Sequence, residues 1–323
     1  MAIKKYGPGP FIAFRTELDG LPIQEANQTI HASQEAGKSH ACGHDGHMAI
    51  LLDLLRKTEN SGFDSGQLML IFQPAEETGL GAARMIKHEV FKRNQVDFCY
   101  ALHNIPGLEK GVVFSKEGSF ACASVGLHVE LNGKTAHAAH PEDAINPIYA
   151  AMELTKKIGG LPDSTSIEGF ALTTPIALLS GDKNFGTSPE KAVVMITLRA
   201  ASTDDLNWMM REAEKIVHDI EKSHGIKANI SFHEYFPAVE NSAHILRIDE
   251  ACLQAKVPHQ SLDVPFRWSE DFSQFSNLFP IAMFGLGAGS DCPPLHASNY
   301  DFPDDLIDVG SSVFLELFKQ HMK

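Results

Sequence analysis

Short apolar runs alternate along the chain with segments whose hydrophobic residues recur at helical spacing, the pattern of an α/β sheet. Phe11–Arg15 predicts a strand, followed by the turn sequence Asp19-Gly20-Leu21-Pro22. His47–Lys57 carries apolar side chains at 48, 51, 52 and 55, one face of a helix. Gln67–Phe72 (QLMLIF) predicts a buried strand, Gly79–Phe91 a helix and Val96–Leu102 a further strand. Ile281–Leu286 predicts a last buried strand, followed by a loop rich in Gly and Pro and a helix from about Leu306.

The middle of the chain has another texture. Ser124–Leu131 alternates as a half-exposed strand does, Asn146–Lys157 predicts a helix, and Val193–Leu198 a strand. Thr203–Ser223 predicts a long amphipathic helix, and Ala228–Phe232 a strand that could close a small sheet. This implies an inserted α+β domain, residues 121–234, within a discontinuous domain made of residues 1–120 and 235–323. No internal repeat or low-complexity tract interrupts the scheme.

Composition narrows the function. The 323 residues carry 27 basic and 41 acidic side chains, a formal charge of −14, which argues against nucleic acid and against anionic membrane surfaces as partners. Hydrophobics at 43% and charged residues at 21% describe a globular chain rather than a disordered one. No apolar run reaches the ~18–20 residues a spanning helix needs. The five cysteines, at 42, 99, 122, 252 and 292, suggest no disulfide framework. No apolar signal core precedes GPGPFIAFR, so a reducing cytoplasm is expected.

Chemistry collects in a few places. His40-Ala-Cys-Gly-His-Asp-Gly-His47 sets Cys42 and His44 two residues apart across a glycine. Thiolate and imidazole suit zinc and its neighbours, and Asp45 and His47 could ligate or support. Gln73-Pro-Ala-Glu-Glu-Thr78 follows the QLMLIF strand. Adjacent buried carboxylates repel unless a cation neutralises them. One of Glu76 and Glu77 could bind metal while the other acts as general base, then general acid, toward an attacking water. His103 follows one predicted strand, His296 lies beyond another, and Asp19 beyond the first. Taken singly, each has a plainer rival: a polar helix start, an acidic helix cap, surface histidines. Taken together, they gather at strand C-termini, where open α/β sheets place their ligand sites. The donor count fits two metals bridged by one ligand.

FRTELDGLPI, HACGHDGHMAILL, LIFQPAEETGLGAARMI, ALHNIPGLEKGVV, GKTAHAAHPEDAINPI, WSEDFSQF and PPLHASNYDF together resemble the M20 metallopeptidase/amidohydrolase family. The nearest branch is the N-acyl-amino-acid amidohydrolases, which includes aminoacylase-, hippurate-hydrolase- and auxin-conjugate-hydrolase-like enzymes. The matches run in order from Phe14 to Phe302. The resemblance implies an α/β fold: a zinc-peptidase-like, mixed-sheet catalytic domain with an inserted dimerisation or lid domain. It implies two divalent ions per subunit, zinc or manganese, a homodimer, and a small N-acyl amino acid or peptide as substrate. By position, Cys42 would bridge the metals, with His44, Glu77, His103 and His296 as further ligands. Glu76 would be the general base, Asp19 would orient a ligating histidine, and His137 of the lid would stabilise the oxyanion in the partner's site.

Two departures stand out. The family normally has helices and a strand ahead of the first motif, whereas this chain starts almost at it; a shortened N-terminus would expose a sheet edge and apolar surface. In the lid, Arg199 matches a strand-end arginine, but Gly186 stands where relatives carry asparagine.

Overall fold

The computed structural model describes residues 1–241 and 245–322. They form two compact units: Met1–Phe120 with Val239–Pro265 and Glu270–Lys323, and Ala121–Ala238 with Phe266–Ser269. In chain order, the first unit begins with β1 (Ala2–Lys5), β2 (Phe11–Glu17), α1 (His44–Asn60), β3 (Gln67–Gln73), α2 (Gly81–Met85), α3 (Glu89–Arg93), β4 (Phe98–Pro106), β5 (Val113–Ser115) and β6 (Gly118–Ala121). The second holds β7 (Ala123–Asn132), α4 (Pro147–Gly159), β8 (Ala171–Ser180), β9 (Lys191–Ala200), α5 (Thr203–His224) and β10 (Lys227–Phe236). The first unit resumes with β11 (Val239–Asn241), α6 (Ile245–Ala255), β12 (His259–Ser261), β13 (Ile281–Gly289) and α7 (Leu306–His321).

The first unit is built on a mixed seven-stranded sheet in the order β1-β3-β2-β4-β13-β5-β12. Its centre, β3-β2-β4-β13, is parallel, and β1 closes one side antiparallel to β3. Parallel strands are covered on both faces, which explains why these segments are apolar almost throughout. Ile12, Phe14, Tyr100 and Phe284 pack with Ile50 and Leu54 of α1 and Phe314 and Phe318 of α7 in one core. All seven residues of β2 are buried, including Arg15 and Glu17.

Helix α1 starts at His44, almost a turn before the periodicity suggests. Gly43 makes this possible. It caps the helix in the left-handed region (φ 85°), and a Cβ there would lie 2.8 Å from Asn104 Oδ1 and 3.0 Å from the Tyr300 hydroxyl. The segment expected as one helix over Gly79–Phe91 is two short ones. His88 breaks it by accepting the Val90 N–H with its ring and capping α3.

The second unit is an antiparallel sheet in the order β10-β7-β9-β8. Val125, Leu127, Val129 and Leu131 of β7 point into a core shared with Leu154 of α4 and Leu206, Met209 and Val217 of α5. Ser202 caps α5 through the Asp205 N–H, and Gly225 ends it in the left-handed region. Strand β8 was not legible in the sequence: Pro175 sits in it beside a bulge, as an edge strand allows. Phe266–Ser269 joins this unit instead of following the flanking segment, because the Cys122 N–H donates to the Phe266 and Trp268 carbonyls. Among the described residues no helix is long and apolar enough to cross a membrane.

Candidate metal centre

In the first unit, four strands and one helix position the site. Asp19 lies just past β2, and Glu76 and Glu77 lie just past β3. Cys42 and His44 flank the start of α1, and His296 sits in the loop after β13. His103, expected after its strand, lies within it: β4 continues to Pro106 because β13 pairs with it from Ile281↔Cys99 to Gly289↔Pro106. Two donors or their carriers have left-handed backbones without being glycine. Ala75 (φ 55°) turns the chain into Glu76, and His296 (φ 67°) is pinned by its N–H to the Ala41 carbonyl at 2.8 Å. Such strain persists only where surroundings impose it, and it gathers at functional sites.

Cys42, His44 and His103 place donor atoms within 4.8 Å of one another, and so do Cys42, Glu77 and His296. The two triads share the Cys42 sulfur. A third group, His44, Glu76 and Glu77, sets the second carboxylate beside them. Cys42 Sγ is 3.6 Å from His103 Nε2, and Glu77 Oε1 is 3.4 Å from His296 Nε2 and 4.0 Å from His44 Nε2. Every residue that the resemblance assigned to metal therefore belongs to one cluster.

The donor set fits a cation. His44 Nε2 and Glu77 Oε1 are buried yet make no hydrogen bond, a costly arrangement unless another partner takes them. Their neighbours fix their orientation. His44 Nδ1 donates to the Asp19 carbonyl at 3.0 Å and lies 3.4 Å from Asp19 Oδ1, which aims Nε2 the other way. Asp19 Oδ2 accepts the Glu77 N–H at 3.1 Å. His103 Nδ1 donates to the Asn104 carbonyl at 2.8 Å, turning Nε2 toward Cys42. Such support fixes both tautomer and ring plane.

The electrostatics point the same way. Burial, with Glu77 and Glu76 beside it, pushes the Cys42 thiol well up, so a thiolate here needs a neutralising cation. Burial opposes charge on His44, but the Asp19 hydrogen bond and the Glu17 carboxylate outweigh it and push it up to about 9. Burial and the neighbouring His47 push His103 down to about 3, leaving a neutral donor. Burial and the Glu270 carboxylate raise Glu76 well above the carboxylate range.

Some candidates play other parts. Asp45 is exposed. His47 has both ring nitrogens engaged, with Glu17 and with the Asn104 N–H. His137 belongs to the second unit, on an exposed turn, with Nδ1 accepting the Ala139 N–H at 3.1 Å. Arg199 donates to the Arg267 carbonyl and to Ser269 Oγ. The sequence reading missed a buried network under Glu76. Arg15 binds Gln73 Oε1, Glu17 Oε1, Glu270 Oε1 and Asp271 Oδ1. The available signal was the charged pair inside the otherwise apolar segment FIAFRTE.

Residues 13–320 match the family model for peptidase family M20/M25/M40. The N-acetyl-L-cysteine deacetylase of Bacillus subtilis (strain 168) is 31% identical over 290 residues, covering 88% of this chain and 68% of that protein. The hippurate hydrolase of Campylobacter jejuni subsp. jejuni is 27% identical over 325 residues, covering 99% and 84%. The fold matches the crystal structure of the Bacillus subtilis YXEP protein, described as a dinuclear metal binding peptidase from the M20 family. That match has a TM-score of 0.83 and 24% identity, over 98% of this chain and 82% of that one.

Proposed function

This chain belongs to peptidase family M20/M25/M40, and on that premise we propose that it hydrolyses the amide bond of N-acyl amino acids or small peptides. The observation that carries the reading is the pair of donor triads joined at Cys42, with Glu76 alongside. Cys42 would bridge, with His44 and His103 on one side and Glu77 and His296 on the other. Two divalent ions held by these residues would supply positive charge for the acyl carbonyl and for an attacking water. Thiolate and imidazole donors suit zinc, and the carboxylates also suit manganese.

Glu76 takes a proton from the attacking water as the C–O bond forms. It returns that proton to the leaving amine as the C–N bond breaks, giving a carboxylate and an amine. The place of Glu76 supports this role: its carboxylate lies in one group with His44 and Glu77, at the edge of the donor cluster. Asp19 holds the His44 ring. His137, offered by a second copy of the chain, donates to the developing oxyanion. Its Nδ1 is engaged by a backbone N–H, so the neutral ring carries its proton on Nε2. A homodimer through the second unit is supported by exposed Tyr149 and Met152 on α4 and Leu172, Ile176, Leu178 and Leu179 on the edge strand β8. All five cysteines are free thiols, which suits a cytoplasmic setting.

The test is metal content of the purified protein beside hydrolysis of N-acetyl- and N-benzoyl-amino acids, with and without a chelator. Bound metal with chelator-sensitive turnover is expected. Metal without turnover on any acyl amino acid or dipeptide would overturn the proposal.

A further inference from the structure

His47 closes the segment HACGHDGH, yet the cluster of donors does not include it. Its Nε2 lies 3.1 Å from the backbone nitrogen of Asn104, a group that can only donate, so Nε2 accepts. The ring proton then belongs on Nδ1, which lies 2.8 Å from Glu17 Oε2. Glu17 is wholly buried, and its other oxygen accepts from Arg15 Nη1. Arg15 cannot swing away. Nε is held by Gln73 Oε1 at 2.9 Å, and Nη2 by Glu270 Oε1 at 2.8 Å and Asp271 Oδ1 at 3.1 Å. A planar guanidinium with four acceptors around it is a fixed frame.

At the other end of this chain of bonds stands Asn104, the residue after His103. Its N–H goes to the His47 ring, and its carbonyl accepts from the His103 ring at 2.8 Å. The two rings cross edge to face with centroids 4.8 Å apart. One residue's backbone is thus held between two imidazoles, one tied to Arg15 and the other facing Cys42.

We propose that His47 is a positioning residue for the metal centre: backed by Glu17 and Arg15, it fixes the His103–Asn104 step of β4 so that His103 presents Nε2 toward Cys42. The proposal rests on the reading of His103 as a ligand. It assigns His47 no bond to metal and no contact with substrate. Partners that orient ligands in this way are worth roughly 10–100-fold in metal affinity.

The experiment measures zinc affinity of the full chain by competition with a chromophoric chelator, with far-UV circular dichroism as the folding control. His47→Phe keeps a ring but offers no acceptor, and an affinity loss on the order of 10–100-fold is expected. His47→Gln can accept the Asn104 N–H through Oε1, and it should recover most of that loss. A folded His47→Phe protein with wild-type affinity would overturn the proposal. So would the loss of one whole metal equivalent in Gln and Phe alike, which would make His47 a ligand. If the Phe variant does not fold, His47→Asn replaces it. Its amide is too short to reach the Asn104 N–H, so it should bind more weakly than Gln, and equal affinities refute the idea. In the metal-free protein, long-range proton–nitrogen spectra should show His47 with its proton on Nδ1; an Nε2–H ring contradicts the geometry. His103→Ala should lose metal. Full retention there would overturn the ligand reading itself, and the proposal with it.

Discussion

Replacing Arg15 by methionine removes a guanidinium that is 1% exposed and keeps much of its stem volume. The carboxylates of Glu17, Glu270 and Asp271, only 0%, 1% and 0% exposed, lose their shared cation. Breaking a buried ion pair from one side costs about 3–5 kcal/mol, because the abandoned charge stays desolvated. In a unit of about 200 residues that loss lowers the melting temperature by roughly 6–20 °C. The sign with pH follows from the same groups. Burial already pushes Glu270 up to about 8 despite Arg15 beside it. Without Arg15, Glu270 and Asp271 are raised further above their unfolded values, and Glu17, held well below the ordinary carboxylate value, loses a cation that keeps it there. The folded variant therefore binds extra protons, and its deficit relative to wild type grows as pH rises. Urea denaturation of the metal-free proteins at pH 5.5 and 8, followed by far-UV ellipticity, measures both. Both tryptophans, Trp208 and Trp268, lie in the second unit, so their fluorescence reports that unit separately. A deficit below about 0.5 kcal/mol, within the range of ordinary surface changes, would refute the argument. A deficit that does not change with pH would refute it too.

Glu76→Gln should leave metal content intact and lower kcat by about 10²–10⁴-fold; near-wild-type turnover on the best acyl amino acid would remove Glu76 from the reaction. Cys42→Ala deletes the donor common to both triads, so elemental analysis should find both ions depleted, and full occupancy would disprove bridging. His137→Ala should reduce kcat by about 10²–10³-fold with metal content unchanged; a change confined to KM would argue against an oxyanion role. His31, hydrogen-bonded to Asp301 at 2.9 Å, is raised above 6.5 by that bond. The stability from this pair is fully present below the unfolded value and is lost as pH rises through the folded one. NMR titration of His31 should show the raised midpoint fall back in Asp301→Asn, and an unmoved midpoint would dismiss the pair.

The donors were legible because their chemistry is local. Cys42 and His44 share one short segment, Glu76 and Glu77 are adjacent, and both segments abut elements with clear periodicity. The buried strands QLMLIF and IAMFGL were legible for the same reason. What the sequence hid is what depends on distant partners. Arg15 reads as a charge ending a strand until Glu270 and Asp271, 255 and 256 residues away, are brought against it. His47 could not be told from a ligand, since its role is set by Asn104 on another strand. The extension of β4 past His103 comes from pairing with β13, and β8 was masked by Pro175 and by an exposed face without regular alternation.

The span of those contacts also sets an order of events during synthesis. Arg15 emerges ahead of its carboxylate partners, which follow 255 and 256 residues later. At 5–20 residues per second that is a wait of roughly 13–50 s. The second unit is continuous except for Phe266–Ser269, so nearly all of its sequence leaves the ribosome while the first unit still lacks β13 and α7. His296 arrives later still, behind Asp271 and β13. The expectation is that the nascent chain holds at most an incomplete donor set, and that ions are taken up by the finished polypeptide and not by the growing one.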